Sequence, residues 1–301
     1  MSEITFEQAP ALPDWITEQF PYARRVFRNG PHTVHFVDEG SGPVVLLQHG
    51  NPTWCYLWRR VIARLIPGGV RILAPDLIGL GLSSKPRDPS IHTLEFHANQ
   101  ISALMGALQL ESITIVGQDW GGPILGLAAA RHPQWIHGAV FANTTLVQPK
   151  KQPRTTAFHR FANQPIISDL AFKRFNYPIP VLHKVQGDPK SIGRAQKRAY
   201  AYPMRKQADR VAPLAFARMV PLNLEHPTVN TMGEVDNWAR NFRGPVRLVW
   251  GKKDPILGRS LKKMQELFPS APVEETGAGH FLQEEVPMQL AEAILKVVGS
   301  V

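Results

Sequence analysis

Asp119 stands at an abrupt change of pattern in the chain. Residues 113–117 are mostly β-branched and apolar, as in a buried strand, whereas residues 124–131 have the composition of a helix. Gly117-x-Asp119-x-Gly121 joins the two through a sharp turn. A strand, a tight turn and a helix in this order hold one nucleophilic side chain over a pocket, and that side chain is usually serine. The chemistry expected here is therefore that of a carboxylate.

Two later residues complete a set that can carry nucleophilic catalysis. Asp254 follows a predicted strand at residues 245–250, and His280 follows the last predicted strand at residues 273–275. Nucleophile, acid and histidine come in the order found in α/β hydrolases, each after the carboxyl end of a strand, so the three can converge. Alone, Asp254 could be a turn residue and His280 a hydrogen-bonded loop histidine. Together with Asp119 they predict a catalytic triad.

The loop beginning at His49-Gly50 offers hydrogen-bond donors to the same place. After such a pair, the backbone N–H of the next residue, Asn51, commonly forms an oxyanion hole with that of the residue after the nucleophile, Trp120. Their side chains add amide and indole N–H groups, which bring no positive charge. Neutral donors beside a carboxylate nucleophile suit a departing halide, although Trp120 could simply pack on the sheet and Asn51 could cap a loop.

Strand and helix patterns alternate along most of the chain. Residues 1–30, with Pro10, Pro13 and Pro21, are expected to be irregular. The pattern predicts strands at 34–37, 44–48, 70–74, 113–117, 140–142, 245–250 and 273–275, and helices at 57–65, 93–108, 124–131 and 287–298. This alternation indicates an open, mainly parallel sheet with helices on both faces.

Residues 148–228 differ from the rest, because they have helical spacing and contain no convincing buried strand. They are predicted to form a helical cap domain inserted at the carboxyl edge of the sheet, where such folds build their sites. The core is then expected to comprise residues 1–147 and 229–301. A chain of 301 residues is long enough for one large domain with such an insertion.

The composition fits a soluble enzyme, with 44% hydrophobic and 19% charged residues. The first residues show no basic stretch followed by an apolar core, and no run approaches the roughly 18 apolar residues of a membrane helix. Cys55 is the only cysteine, which excludes an intrachain disulfide and fits a reducing compartment. We therefore expect a cytoplasmic protein without a membrane partner.

The formal net charge of +10 is concentrated in one segment, since residues 150–210 contain 14 Lys and Arg against three Asp and Glu. Such a surface could attract anionic partners or nucleic acid. The basic residues are scattered through apolar spacing, which favours a solvated helical face, and no aromatic stacking motif accompanies them. Nucleic acid is not an expected partner.

Four motifs resemble the haloalkane dehalogenase family of the α/β-hydrolase superfamily: His49-Gly-Asn-Pro-Thr-Trp54, Asp76-Leu-Ile-Gly-Leu-Gly-Leu-Ser83, Gly117-Gln-Asp-Trp-Gly-Gly122 and Gly279-His-Phe281. The resemblance implies an α/β-hydrolase fold with a mostly parallel, eight-stranded sheet. It also implies that the substrates are a halogenated alkane and water, that the products are an alcohol and a halide ion, and that neither a metal nor an organic cofactor takes part.

The resemblance assigns a role to each residue of the site. Asp119 would displace the halide and form an alkyl ester, and the side chains of Asn51 and Trp120 would bind the halide. His280 would activate the water that hydrolyses the ester, and Asp254 would orient the imidazole. An aspartate, with an ordinary pKa of about 3.9, is already ionised and needs no base for its attack.

The family pattern also indicates a subfamily. Many members carry an acidic Glu after the strand that ends near Asn143, but this chain has Asn143-Thr-Thr145 there, so the acid falls to Asp254. Other members pair the tryptophan with a second tryptophan rather than with Asn51. The combination found here resembles the third subfamily, whose members often self-associate, and this leaves a homo-oligomer open.

Apolar residues of the predicted cap are candidates for lining the substrate pocket, and we expect only a minority to reach it: Phe158, Phe161, Phe172, Ile179, Leu182, Leu214 and Met219. An alternative function is epoxide hydrolysis, which uses the same nucleophile with cap tyrosines, for which the candidates are Tyr177, Tyr200 and Tyr202. Asn51 argues against it, since an aromatic residue often takes that position. A non-catalytic binding protein of this fold is a second alternative, although such proteins tend to lose triad residues.

Overall fold

A single nine-stranded sheet organises the computed structural model, which describes residues 4–153 and 155–299. The strands are β1 (Ile4–Gln8), β2 (Arg24–Asn29), β3 (His32–Glu39), β4 (Val44–Gln48), β5 (Arg71–Pro75), β6 (Ile113–Gln118), β7 (Ile136–Ala142), β8 (Val246–Gly251) and β9 (Val273–Thr276). Their order is β1-β2-β3-β5-β4-β6-β7-β8-β9. All pairings from β5 to β9 are parallel, and those of β1, β2 and β3 are antiparallel.

The predicted fold class is confirmed, but the predicted count of eight strands and the irregular start of the chain are wrong. Both β1 and β2 lie within residues 1–30, and the three prolines fall between them. The turn from β2 into β3 contains Gly30 with φ of +60°, and Phe27 is fully buried against the core. Strand pairing with β3 thus imposes an extended conformation that the local pattern does not reveal.

Twelve α-helices occur in the described part of the chain: α1 (Asp14–Thr17), α2 (Arg59–Leu65), α3 (Leu94–Ala107), α4 (Gly121–Arg131), α5 (Ala157–Ala162), α6 (Ile167–Phe175), α7 (Arg194–Ala201), α8 (Ala212–Arg218), α9 (Pro227–Asn241), α10 (Leu261–Leu267), α11 (Leu282–Glu285) and α12 (Pro287–Val298). Helices α2 and α12 pack together, and α4 packs with α3 and α9. Strands β4 and β6 are almost entirely buried between these layers, which explains their unbroken apolar sequence. None of the described helices is long and apolar enough to span a membrane.

Between β7 and β8 the described residues form helices joined by irregular segments and contain no strand. Helix α9 packs against α4 and so extends the core layer. The segment from α5 to α8 is called the insertion below. The predicted domain limits at 148 and 228 stay a prediction, and residues 1–3, Arg154 and residues 300–301, which those domains include, lie outside the described residues.

A buried ion pair ties the insertion to the core. Arg59 of α2 donates to both carboxylate oxygens of Glu284 in α11, at 2.7 and 2.8 Å. Tyr200 of α7, in the insertion, donates its hydroxyl to the same carboxylate at 2.5 Å. Glu284 is only 2% exposed, so its charge depends on these partners for stabilisation.

Replacing Glu284 with Gln is expected to lower the free energy of unfolding by about 3 kcal/mol, because Arg59 would keep a buried charge without its counter-ion. Urea unfolding measures this. The matched control is Glu292→Gln, at an exposed position of α12, which should change the stability by less than about 0.5 kcal/mol. Equal losses in the two variants would contradict the assigned contribution of the ion pair.

Candidate active site

The turn after β6 fixes Asp119 in an unusual conformation. Its φ is +53°, a backbone conformation that residues other than glycine rarely adopt. Its backbone N–H donates to Asn143 O at 3.1 Å, and Thr144 Oγ1 donates to its carbonyl at 2.6 Å. Gly117 and Gly122 allow the strand and helix to approach, since a Cβ on Gly117 would lie 2.6 Å from Gly122 Cα. The backbone therefore directs this carboxylate to the carboxyl edge of the sheet.

The structure brings Asp119, Asp254 and His280 together, as the sequence predicts. His280 Nε2 lies 3.6 Å from Asp119 Oδ2, and His280 Nδ1 lies 2.9 Å from Asp254 Oδ2. The imidazole therefore bridges two carboxylates. Asp254 follows β8, His280 follows β9, and both are buried. This arrangement can transfer a proton at Nε2 while Asp254 stabilises the protonated ring.

Backbone donors converge on the Asp119 carboxylate. Asn51 N–H donates to Asp119 Oδ1 at 2.8 Å, and the backbone N–H of Trp120 also hydrogen-bonds this carboxylate. The Asn51 side chain is partly engaged, because Nδ2 donates to Pro213 O at 3.0 Å. An amide has two protons on its nitrogen, so this contact orients Asn51 without using all of its donors. The backbone N–H groups of both predicted oxyanion-hole residues thus contact the nucleophile, and the halide-binding role of their side chains stays a prediction.

Asn143 is a site residue whose role sequence reasoning missed. It is fully buried, and its Nδ2 donates to Asp254 Oδ2 at 2.8 Å, while its Oδ1 accepts from Gly251 N–H at 2.8 Å. The same Nδ2 reaches Gly279 O at 3.1 Å. Asn143 therefore joins the acid to the loop of His280. The available signal was a polar residue directly after β7, which sequence reasoning used only as evidence that the acid lay elsewhere.

Two further residues adjoin the histidine. Gln118 Nε2 lies 3.4 Å from His280 Nε2 and donates to His280 O at 3.1 Å. His159 of α5 hydrogen-bonds Thr156 Oγ1 at 2.8 Å. Burial, assisted by the positive charge of His280, lowers the pKa of His159 to about 4. His159 is therefore a neutral group near pH 7.

Burial and the neighbouring charges determine the protonation of the triad. Burial would lower the pKa of His280, but Asp254 and then Asp119 outweigh it and raise that pKa above 6.5. Burial would also raise the pKa of Asp254, yet His280 holds it below its ordinary value. For Asp119 burial prevails, so its pKa is raised although His280 opposes this. The positive charge of His280 is thus stabilised by both Asp254 and Asp119.

A buried cluster beneath the site resembles a metal centre in composition. His35, Cys55 and Asp76 place one ligand atom each within 4.8 Å of one another. However, the Asp76 carboxylate accepts from His35 Nδ1 at 2.8 Å and from the backbone N–H of Cys55 and Leu82, both at 2.7 Å. Burial raises the pKa of the Cys55 thiol well above its usual range, which disfavours a thiolate ligand. These contacts fit a hydrogen-bonded anchor better than a metal site.

The apolar residues predicted to line the pocket fall into two groups. One packs within the insertion and comprises Phe158, Phe161, Phe172 and Leu214. The other belongs to the main core and comprises Ile179, Leu182 and Met219. Which of them contact a substrate stays a prediction.

Comparison with known proteins agrees with this geometry. A family model described as alpha/beta hydrolase fold matches residues 43–287, so the chain belongs to that fold family. The chain is 34% identical over 273 residues to the haloalkane dehalogenase of Mycobacterium marinum, covering 88% of this chain and 89% of that protein. It is 32% identical over 288 residues to haloalkane dehalogenase 2 of Mycobacterium tuberculosis, covering 93% and 96%.

A solved structure is also similar. The haloalkane dehalogenase DatA from Agrobacterium tumefaciens C58 superimposes with a TM-score of 0.81 at 30% identity, covering 91% of this chain and 95% of that one. The chain belongs to the haloalkane dehalogenase family. The resemblance inferred from the four motifs is confirmed.

Replacing Asp254 with Asn should lower the pKa of His280, because the Asp254 charge is the strongest contribution that raises it. NMR titration of labelled imidazoles measures this, with His280→Phe assigning the signal. Asp14→Asn, at an exposed position, serves as the control and should leave the titration unchanged. An unaltered His280 titration in Asp254→Asn would contradict the assigned electrostatics.

Proposed function

We propose that this protein hydrolyses haloalkanes to an alcohol and a halide ion through an alkyl ester on Asp119. Membership of the haloalkane dehalogenase family supports this, and one observation carries the mechanism. Asp119 Oδ1 accepts from Asn51 N–H at 2.8 Å, while Oδ2 faces His280 Nε2 at 3.6 Å. Oδ1 therefore lies in the proposed oxyanion hole, whereas Oδ2 is the oxygen that faces the base.

In the first step, a lone pair of Asp119 Oδ2 attacks the carbon that carries the halogen. The carbon–halogen bond breaks with its electron pair, and the halide leaves as an anion while an alkyl ester forms. No proton moves, so only an ionised Asp119 is needed. The indole N–H of Trp120 and the free amide proton of Asn51 stabilise the developing halide charge.

In the second step, His280 Nε2 accepts a proton from water as the water oxygen attacks Cγ of Asp119. The carbonyl oxygen, Oδ1, becomes negative and is stabilised by the backbone N–H groups of Asn51 and Trp120. The intermediate then collapses, the bond between Cγ and the alkyl oxygen breaks, and the alcohol leaves with the proton from His280. Asp119 is left as a carboxylic acid and releases the second water proton to solvent, which restores the carboxylate. Asp254 stabilises the transient imidazolium ion.

Ester formation prepares the histidine for this second step. The charge of Asp119 is one of the contributions that raise the pKa of His280, and esterification removes that charge. The pKa of His280 therefore falls once the ester has formed, and the neutral base becomes more populated. The first step thus favours the protonation state that the second step requires.

Epoxide hydrolysis would use the same Asp119 but needs tyrosines that donate to the epoxide oxygen. Tyr200 is buried and its hydroxyl is committed to Glu284. Tyr202 packs edge-on against Trp15, and Tyr177 packs with the aromatic residues of the insertion. These placements favour dehalogenation, and a complete triad argues against a non-catalytic binding protein.

The cytoplasmic location and the third subfamily stay predictions, as does self-association. Four large apolar residues near α6 are strongly exposed, which is compatible with a contact between copies: Ile166, Ile167, Leu170 and Phe175.

His280→Phe is expected to trap the ester, because Asp119 can still attack but no base activates water. With 1-bromobutane, the wild type should release bromide catalytically. The variant should release a single equivalent and become heavier by one butyl group, located at Asp119 by peptide mass spectrometry.

Two outcomes would redirect this assignment. Turnover of styrene oxide without any bromide release would identify an epoxide hydrolase. No turnover of either substrate by the wild type would favour a binding protein. His32→Phe replaces another histidine, one that packs on Phe96, and should leave bromide release unchanged.

Trp120→Phe should reduce kcat/KM for 1-bromobutane roughly 10²-fold, the usual effect of losing one donor to a developing anion. Bromide binding, followed by calorimetry, should weaken in parallel. Ester decay measured in single turnovers should stay close to wild type, because it depends on His280. Trp135→Phe, at a position that stacks on His132, is the matched control. A selective effect on ester decay would contradict the halide role of Trp120.

A further inference from the structure

The loop that carries His280 is held along its N–H edge by the insertion. His280 N–H donates to Val185 O at 2.8 Å, and Phe281 N–H donates to Gln186 Oε1 at 2.9 Å. Gln186 Nε2 returns a hydrogen bond to Phe281 O at 3.2 Å. One glutamine side chain thus pairs with both backbone groups of Phe281, the residue after the histidine.

The Glu285 carboxylate accepts further hydrogen bonds from the loop and from the insertion. Its Oε2 accepts from Gly279 N–H at 2.7 Å and from Gly187 N–H at 3.1 Å. Its Oε1 accepts from Asp188 N–H at 2.5 Å. One carboxylate therefore joins the backbone before His280 to the backbone of the insertion. We call Gln186, Glu285 and the backbone of residues 185–188 the latch.

The C=O groups of residues 278–280 are held by the core instead. The three contacts are Lys253 N–H with Ala278 O at 3.0 Å, Asn143 Nδ2 with Gly279 O at 3.1 Å, and Gln118 Nε2 with His280 O at 3.1 Å. The core and the insertion therefore both hold the loop, and both determine the position of the imidazole relative to Asp119.

Gly279 and Gly187 permit the backbone of the loop and that of the insertion to approach closely. A Cβ on Gly279 would collide with the backbone of Val185 and Gln186, and one on Gly187 would collide with the backbone of Gly277 and Ala278. The two backbones therefore pack directly on each other. Gln186 is only 7% exposed, so loss of its amide would leave the Phe281 N–H without a partner in a buried place, whereas Phe281 O would keep its hydrogen bond from Glu284 N–H at 3.0 Å.

We propose that the latch positions His280 for ester hydrolysis, so that the insertion controls the second chemical step independently of the first. The inference rests on the proposed function. Asp119 is held by β6, Asn143 and Thr144 and, among the residues that the structure describes, makes no hydrogen bond to the latch, so its attack on the haloalkane does not depend on the latch. His280 acts only on the ester, where a displacement of about 1 Å can cost roughly 10²-fold in rate.

The test uses Gln186→Leu, which removes both contacts to Phe281, and Glu285→Gln, which places an NH₂ group among three N–H donors. Rapid-quench experiments with 1-bromobutane measure the bromide burst and the subsequent ester decay separately. We expect an unchanged burst rate, ester decay slowed roughly 10-fold or more, and accumulation of butylated enzyme by intact mass. Gln186→Glu keeps the acceptor for Phe281 N–H and should restore part of the decay rate.

Matched controls make the same chemical changes elsewhere. Glu292→Gln on α12 and Gln207→Leu on the insertion both alter exposed positions, and neither should change either step. The unchanged burst in the latch variants also reports that their pocket is folded. Equal slowing of both steps, or no slowing of ester decay, would overturn the proposal.

A measurement without substrate separates this proposal from the proposed function. Hydrogen exchange followed by mass spectrometry should show faster exchange of residues 278–281 in Gln186→Leu, with no change around Asn143 and Asp254. If the wild type releases no bromide, the dehalogenase assignment fails. Unaltered exchange at residues 278–281 would by itself overturn the latch.

Discussion

A buried imidazole between two carboxylates is the interaction on which this site depends. His280 contacts Asp254 on one side and faces Asp119 on the other. Burial disfavours every charge in the group, so each ionised residue relies on the others. Asp254 stabilises the imidazolium at all times, whereas Asp119 does so only while it is unesterified. In the proposed mechanism the electrostatics of the group therefore change as the reaction proceeds.

The sheet makes this grouping attainable. Asp119, Asp254 and His280 each follow the carboxyl end of a parallel strand, so a few residues of loop bring distant parts of the chain together. The neighbouring loop of Asn51 is anchored differently. His49 Nε2 accepts from Leu77 N–H at 3.1 Å, and the adjoining Asp76 carboxylate is bound by the His35 ring and by two backbone N–H groups. This buried anchor explains why a charged residue lies beneath the oxyanion hole without taking part in chemistry.

The sequence predicted those features that depend on local backbone geometry. The turn at Asp119, the buried strand β6 and the order of the triad can each be read from residue types at fixed spacing. Features that depend on contacts between residues far apart in the sequence could not be predicted from residue types and spacing. Strands β1 and β2 form because β3 pairs with β2, although prolines suggested irregular structure. Asn51 Nδ2 donates a hydrogen bond to Pro213 O, which is 162 positions later in the chain, and no pattern in either segment predicts that contact. Asn143 was recognised as lacking a carboxylate, but its hydrogen bond to Asp254 required coordinates.

The two chemical steps thus draw on different parts of the molecule. In the proposed mechanism, attack by Asp119 needs a carboxylate fixed by the core and donors for the halide, of which Asn51 is oriented by its hydrogen bond to Pro213 O. In the proposed mechanism hydrolysis needs His280, whose loop is hydrogen-bonded to the core through the C=O groups of residues 278–280 and to the insertion through Val185 and Gln186. A change of sequence in the insertion therefore has two physical routes to activity, since it alters both the walls of the pocket and the placement of the base. In the proposed mechanism, turnover of a given haloalkane therefore depends on the insertion even where no residue of it touches that substrate.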